Sequence, residues 1–359
     1  MSRPQRKKAT EVIEFFQTLD SDVEETDSDG EFFDSGPDED SDDADPGPST
    51  SAGPPPKRMR PSGDVAPAPA PQPGVHVPDN VVTPLDFFRL FFTADILRVI
   101  KTETNRCAAS ELGRRQLPPE SLYKNWSTVT LKELWGFFTI WVHMSLVKKP
   151  CLKDYWSTAE IIRTSFASKI MSRNRFMQIL GLLHLNDNTT YIPLRETGHD
   201  PLHKLRPIID PLSATFRDLV TPQQKLVIDE AICPWRGNLR FRVYMKDKPS
   251  KWRIKLYMLC ESASAYVCAF EIYAGDPTIS NKPVDVCRRM MMPLMNKGYI
   301  LYTDNYYTCP ALYQEMIAGG TMIVGTVRAN RVGMPKDLAA LNLRTEESAY
   351  RRQDKLVAG

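Results

Sequence analysis

Short apolar runs in the second half of the chain predict strands. Residues 226–232 form a short buried run, residues 252–260 alternate with period two, and residues 265–273 are rich in Tyr, Val, Phe and Ile, which together predict three strands. Residues 239–245 alternate apolar and basic side chains between the first and second of them. Because only residues 262–264 separate the second and third strands, these two are predicted to form an antiparallel hairpin.

After residue 280 the apolar period lengthens to that of a helix. Apolar residues from Val284 to Met295 share one helical face, and Pro283 suits the first turn. A strand is then predicted over 299–304, a helix over 308–318 and a strand over 321–327. The order β-β-β-α-β-α-β predicts an α/β fold with a ribonuclease-H-like core. A doubly wound fold would alternate strand and helix from its first element.

Two aspartates lie at the ends of predicted strands, Asp229 on the first and Asp304 on the fourth. In a ribonuclease-H-like core these strands are neighbours, so the two carboxylates are expected to converge. Mg²⁺ takes one or two protein carboxylates and completes its shell with water and phosphate oxygens. The pair therefore indicates a metal site for phosphodiester chemistry. The alternative is that each Asp only ends a strand or caps the next helix.

The region before this core has the pattern of helices. Thr83-Pro84 predicts a helix start, Thr130 and Glu133 form a capping box, and Ser172 precedes another helix. The side chains predicted to be buried on the last two helices are Leu134, Phe137, Phe138, Trp141 and Met144, and Phe176, Ile179, Leu180 and Leu183. We therefore divide the chain into an arm (1–80), a helical region (81–222) and the core (223–359).

Charge is distributed very unevenly along the chain. Residues 20–45 hold 14 Asp and Glu and no Lys or Arg, although the whole chain has a formal charge of only +2. Without those 14, 46 basic residues stand against 30 acidic ones, or about +16. A basic body indicates a polyanionic partner such as DNA. The acidic segment either mimics DNA or only keeps the protein soluble.

Residues 1–80 are acidic and then Pro-rich, a composition typical of disorder. Lys57, Arg58 and Arg60 lie between prolines and predict a nuclear-import signal, with a chance basic cluster as the alternative. An acidophilic kinase would recognise Ser21, Thr26, Ser28 and Ser35, each with an acid three residues on.

The rest of the composition agrees with a cytosolic or nuclear protein. No apolar run approaches the roughly 18 residues of a membrane span, and the N-terminus lacks a signal core. The seven cysteines include no Cys-x-x-Cys pair, which indicates reduced thiols.

Basic residues near the predicted metal site are candidates for contacts with DNA phosphates. The loop between the first two strands carries Lys246, Lys248, Lys251 and Arg253, and a solvated turn is the alternative. Arg328 and Arg331 follow the last strand and are weaker candidates. For Trp252 in the same loop, a packing role is favoured over stacking on a base.

Several segments of the sequence resemble piggyBac transposases and their host-domesticated derivatives. The segments in the core are residues 228–231, 247–252, 302–308 and 325–331. Those upstream are residues 83–88, 103–106, 148–150 with 154–157, and 204–207. The resemblance implies a cut-and-paste DNA transposase ancestry, a Mg²⁺-dependent core of three carboxylates and insertion at TTAA sites. Asp229 and Asp304 match the first two carboxylate positions. The resemblance also implies that the helical region (81–222) serves dimerisation and DNA binding.

The sequence also departs from the piggyBac pattern. The third carboxylate and the Cys-rich zinc module would follow Gly359, and Arg253 stands where the family usually has Gly. We therefore expect weak Mg²⁺ binding and a DNA-binding protein, with a homodimer as a further expectation. The alternative is an active transposase of which this chain is a fragment. An exonuclease of the same superfold would need an acid at Ala231.

Overall fold

The computed structural model describes a helical unit and a sheet-containing unit. Its described residues are 69, 71–114, 116–235, 237–245, 251–276, 278–339, 341 and 347–359. The helical unit takes its described residues from Val77 to Thr215. The sheet unit takes those up to His76 and those from Phe216 to Gly359.

Helices predominate in the first half, as the sequence predicts. Their bounds are α1 Pro84–Phe91, α2 Ala94–Arg114, α3 Leu131–Leu146, α4 Phe166–Ile170, α5 Arg173–Leu182 and α6 Arg206–Leu219. Short 3₁₀ turns cover Leu152–Trp156, Glu160–Ile162 and Asn188–Thr190. The predicted starts at Thr83, Thr130 and Ser172 are confirmed, because each side chain accepts a hydrogen bond from the first turn of its helix.

The core of the helical unit is aromatic and aliphatic. Phe137 and Phe176 are fully buried, with ring centroids 4.7 Å apart. The buried line of α3 is Leu134, Phe137 and Ile140. The prediction that Trp141 is buried is wrong, because that side chain is 45% exposed at the margin of this line, against Phe137 and Phe138.

The sheet unit contains a mixed sheet with helices, as predicted. Its strands are β3 Lys225–Pro234, β4 Val243–Tyr244, β5 Trp252–Glu261, β6 Val267–Ile272, β7 Ile300–Thr303 and β8 Met322–Gly325. The order is β4-β5-β3-β7-β8, and β6 pairs with β5. The predicted hairpin is confirmed, since β5 and β6 are antiparallel. β7 lies parallel to both β3 and β8.

One face of this sheet carries the core. Leu226 pairs with Leu301, and Leu301 with Ile323, so these apolar side chains share a face. Helices α7 (Pro283–Met291) and α8 (Pro310–Ala318) pack there through residues such as Met290 and Met316. A 3₁₀ turn over Met292–Leu294 follows α7.

Smaller elements complete the described fold. They are the pair β1 (Gly74–Val75) with β2 (Val220–Thr221), the pair β9 (Arg351–Gln353) with β10 (Leu356–Ala358), and α9 (Lys336–Ala339).

The alternating segment 239–245 is mostly a turn. Only Val243–Tyr244 is a strand, because the chain turns at Leu239–Arg242, where the Arg242 amide donates to the Leu239 carbonyl. Phe241 is buried within this turn, and the Arg242 guanidinium donates to the Gly237 carbonyl. Local hydrogen bonds therefore take the place of strand pairing in the first part of this segment.

Candidate metal and nucleic-acid site

The two predicted aspartates lie at the same end of neighbouring parallel strands. The paired registers between β3 and β7 end at Val227 and Tyr302, and Asp229 and Asp304 each follow two residues later. Both aspartates are exposed, whereas Ile228 and Thr303, which precede them, are buried. The parallel register therefore brings together carboxylates that are distant in sequence.

Backbone amides hold both carboxylates. Asp229 Oδ1 accepts from the Glu230 amide at 2.8 Å. Asp304 Oδ1 accepts from the amides of Tyr306 at 3.0 Å and Tyr307 at 3.4 Å, which forms a tight turn after β7. These bonds orient the side chains before any ligand arrives.

A second set of bonds fastens this turn to the sheet. The Thr308 hydroxyl donates to the Asp304 carbonyl at 2.6 Å and lies 2.8 Å from the Thr303 hydroxyl. Thr303 and Thr308 are both buried. The turn that carries Asp304 is thus anchored at both of its ends.

The donor set of the pair fits a hard divalent cation. Carboxylate oxygens are the ligands that Mg²⁺ and Mn²⁺ prefer, and Mg²⁺ retains several waters when proteins bind it. Among the described residues, no group of three or more His, Cys, Asp and Glu side chains is arranged to hold a metal.

Nearby thiols are held in their neutral form. Burial, and then the charges of Cys309 and Asp304, raise the pKa of Cys287 to about 12. Burial and the Asp229 carboxylate also raise the pKa of Cys260. Because a thiol must lose its proton to ligate a metal, these cysteines do not compete with the carboxylates at neutral pH.

The predicted DNA contacts have varied surroundings. Lys246 and Lys248 lie outside the described residues, as do Lys57, Arg58, Arg60 and the four predicted phosphorylation sites. Lys251 is exposed, with its ammonium 6.0 Å from the centroid of the Tyr244 ring. Arg253 lies on β5, paired with Val243 and Pro234.

The two arginines after β8 differ from each other. Arg328 is exposed in a turn. The Arg331 guanidinium donates to the Tyr306 carbonyl at 3.0 Å, which stabilises the turn of Asp304. This bracing role was not predicted, and the DNA role of Arg331 stays a prediction.

Trp252 is the first residue of β5 and lies opposite Tyr244 of β4. The Arg242 guanidinium lies 4.2 Å from the centroid of its ring, and the Tyr244 ring meets it edge-on at 5.0 Å. These contacts agree with the packing role favoured for Trp252.

Sequence reasoning missed Glu230 and Lys255. The Lys255 ammonium lies 3.1 Å from the Glu230 carboxylate, and both side chains are largely withdrawn from solvent. A signal was present, because a lysine inside an apolar strand needs a partner and Glu230 directly follows Asp229.

Comparison with known proteins identifies the family. The model of the family described as "Transposase IS4" matches residues 83–358. The chain belongs to this transposase family. Its relatives within the family are of the piggyBac type, as the sequence motifs predict.

Two human relatives represent the curated proteins. PiggyBac transposable element-derived protein 3 is 24% identical over 272 residues, which cover 72% of this chain and 42% of the relative. PiggyBac transposable element-derived protein 5 is 25% identical over 268 residues, which cover 70% and 49%. The chain thus spans less than half the length of these relatives.

A solved structure has the same fold. It is the cryo-EM structure of a piggyBac transposase synaptic complex with hairpin DNA, similar with a TM-score of 0.68 and 27% identity. The match covers 77% of this chain and 58% of that one.

Among the described residues, no helix combines the length and apolarity that crossing a membrane requires.

Proposed function

We propose that this chain is a piggyBac-type, transposase-derived DNA-binding protein whose Asp229 and Asp304 bind a divalent metal weakly. The observation that carries the proposal is the juxtaposition of these exposed carboxylates at the ends of parallel β3 and β7. The strand order β6-β5-β3-β7-β8 supports a ribonuclease-H-like core. The family membership supports DNA as the ligand.

The residues of the chain orient a phosphodiester at this site. Asp229 and Asp304 would hold the metal, whose positive charge stabilises the oxygens of a phosphodiester. Lys251, Arg253 and Arg328 are the described candidates for neighbouring phosphates. Because two carboxylates leave most of the metal shell to water, we expect weak binding and slow strand cleavage.

Titration with Mn²⁺ tests the metal site. Wild type is expected to bind Mn²⁺, and the double variant Asp229→Asn/Asp304→Asn is expected to lose that binding. Asp276→Asn serves as the control, because Asp276 is a partly exposed aspartate of the same unit whose carboxylate accepts from the Thr278 amide. Equal Mn²⁺ affinity in wild type and the double variant would refute the site.

Plasmid cleavage distinguishes a binding protein from an active transposase. The likeness to a transposase synaptic complex favours activity as the second candidate. Supercoiled plasmid carrying piggyBac-type ends is incubated with the chain and Mg²⁺. We expect little nicking, and nicking that Asp229→Asn abolishes would establish the enzyme instead.

We also propose that the protein acts in the nucleus. The basic cluster Lys57, Arg58 and Arg60 supports import, and the acidic segment supports modification by an acidophilic kinase. A fluorescent fusion in which these three residues become Ala should move to the cytoplasm. A fusion that stays nuclear would refute this import signal.

We also propose that the chain forms a homodimer. Sedimentation of the purified chain tests this, and a monomer would exclude it.

A further inference from the structure

The side chains of Glu230 and Lys255 connect the two segments that carry the aspartates. Glu230 follows Asp229 on β3, and its carboxylate lies 3.1 Å from the Lys255 ammonium on β5. The amide of the same Glu230 donates to Asp229. A single residue thus orients one carboxylate through its backbone and engages a cation through its side chain.

Lys255 continues the connection to the turn of Asp304. Its ammonium lies 4.7 Å from the centroid of the Tyr306 ring and 4.8 Å from that of Tyr257. The Tyr306 amide is one of the two that hold Asp304 Oδ1. Lys255 therefore binds the residue that follows the first aspartate and the aromatic ring beside the second.

The burial of this ion pair gives it a definite geometry. The side chains of Lys255 and Glu230 are 17% and 20% exposed. A cation withdrawn from water must be compensated by a counter-charge and by the negative faces of aromatic rings, and both are present here. Such an arrangement loses much of its stabilisation if either partner shifts, so it restrains both segments.

Arg331 restrains the same turn through a separate contact. Its guanidinium donates to the Tyr306 carbonyl at 3.0 Å, whereas Lys255 meets the Tyr306 ring. Tyr306 also packs edge-on against Tyr307, which is 1% exposed, with centroids 5.1 Å apart. Two cations, Lys255 and Arg331, thus contact Tyr306 and restrain the backbone that orients Asp304.

We propose that Lys255, with Glu230, is a positioning residue that sets the relative placement of the carboxylates of Asp229 and Asp304. The inference rests on the proposed metal site. Groups that orient metal ligands typically change metal affinity 10–100-fold when they are removed. Lys255→Met, which keeps the apolar stem and removes the charge, should weaken Mn²⁺ binding by about 10-fold.

The matched control is another ion pair of the same unit. Arg289 and Glu271 join α7 to β6, with atoms 2.7 Å apart and side chains 31% and 29% exposed. Arg289→Met removes a comparable interaction away from the aspartates. It should lower the thermal midpoint much as Lys255→Met does, but leave Mn²⁺ affinity unchanged. Lys255→Arg keeps the cation and should restore most of the affinity.

Hydrogen exchange gives a readout that needs no metal. The amides of Tyr306 and Tyr307 donate to Asp304, so a loosened turn exposes them. Peptides that cover residues 302–308 should exchange faster in Lys255→Met and Glu230→Gln than in wild type or Arg289→Met. Exchange by mass spectrometry on the full chain measures this even where a variant is less stable.

The outcomes separate the two proposals. Mn²⁺ binding that survives Asp229→Asn/Asp304→Asn refutes the metal site, and the exchange data then decide on positioning alone. If that double variant loses Mn²⁺ while Lys255→Met keeps wild-type affinity and wild-type exchange over 302–308, the positioning role is refuted. Should Lys255→Met not fold, Tyr306→Leu removes the ring contact and must give the same two effects.

Discussion

At the scale of single residues, a backbone glycine beside Asp304 is under a steric constraint. Gly325 on β8 pairs with Thr303 on β7. A Cβ at Gly325 would lie 2.2 Å from the Thr303 carbonyl oxygen and 2.9 Å from the Thr308 hydroxyl. Because these two atoms belong to the backbone and to a buried hydroxyl, they cannot move away easily. The glycine of the 325–331 motif is therefore required by close packing next to the Asp304 turn.

Gly325→Ala is expected to lower the stability of the sheet unit by about 1–3 kcal/mol, the usual range for overpacking. The clash should also shift Thr303 and Thr308 and so weaken Mn²⁺ binding. Chemical denaturation and Mn²⁺ titration measure the two effects. Gly113→Ala is the control, because a Cβ there meets nothing within 4 Å and Ala favours the helix. Equal stability of the two variants would contradict the steric account.

At the scale of elements, the start of α3 combines a cap with an ion pair. Glu133 accepts from the amide and hydroxyl of Thr130, each at 3.0 Å, and from Arg175 of α5 at 2.7 Å. Burial alone would raise the pKa of Glu133. The hydrogen bonds from Arg175 and Thr130 outweigh it, so the pKa lies below its usual value. The interaction therefore depends on pH and joins two helices of the helical unit.

Because the folded pKa is the lower one, this stabilisation is present above the unfolded value of about 4.3 and is lost as pH falls through the folded pKa. Glu133→Gln should destabilise the helical unit by about 1 kcal/mol at pH 7. The difference from wild type should shrink as pH falls below about 4. Thermal unfolding monitored by circular dichroism measures it. Asp95→Asn, at an 86% exposed side chain of α2, should have a much smaller effect. A Glu133→Gln deficit that is constant from pH 7 to pH 3 would contradict the linkage.

At the scale of the whole molecule, the proposed binding of DNA depends on the separation of acidic and basic residues. A formal charge of +2 is the sum of a strongly acidic segment and a basic remainder. A basic remainder attracts phosphates over a range that salt screens. An acidic segment of the same chain competes with DNA if it reaches the same basic residues. Salt dependence and removal of the acidic charges therefore address separate parts of the proposal.

Neutralising about six phosphates should give log K against log salt a slope of about −5. Fluorescence anisotropy with a labelled duplex, recorded between about 50 and 200 mM salt, measures the slope. Replacing the 14 acids of residues 20–45 by Asn or Gln keeps the length and should tighten binding. A slope near zero would contradict the electrostatic account. Unchanged affinity would make the segment a solubility device.

Local sequence patterns predicted many of the helices and strands. Thr83, Thr130 and Ser172 began helices where their side chains predicted, because a cap depends on residues within one turn. Strands β3 and β7 followed short apolar runs, and β5 followed a period-two run. The motifs also identified the family, which the match over residues 83–358 confirms.

The sequence by itself thus determined the elements, the family and the two aspartates, since periodicity, caps and motifs are properties of neighbouring residues. Only the tertiary structure decided that Val227 and Tyr302 share a register, which brings Asp229 and Asp304 together. It also decided that Lys255 meets Glu230 and Tyr306, and that Trp141 is exposed. These facts depend on strand pairing and on which side chains from distant segments fill a space. The sequence indicated that Lys255 needs a partner and that the two aspartates should converge, but no local pattern gives the strand register or names the contacts.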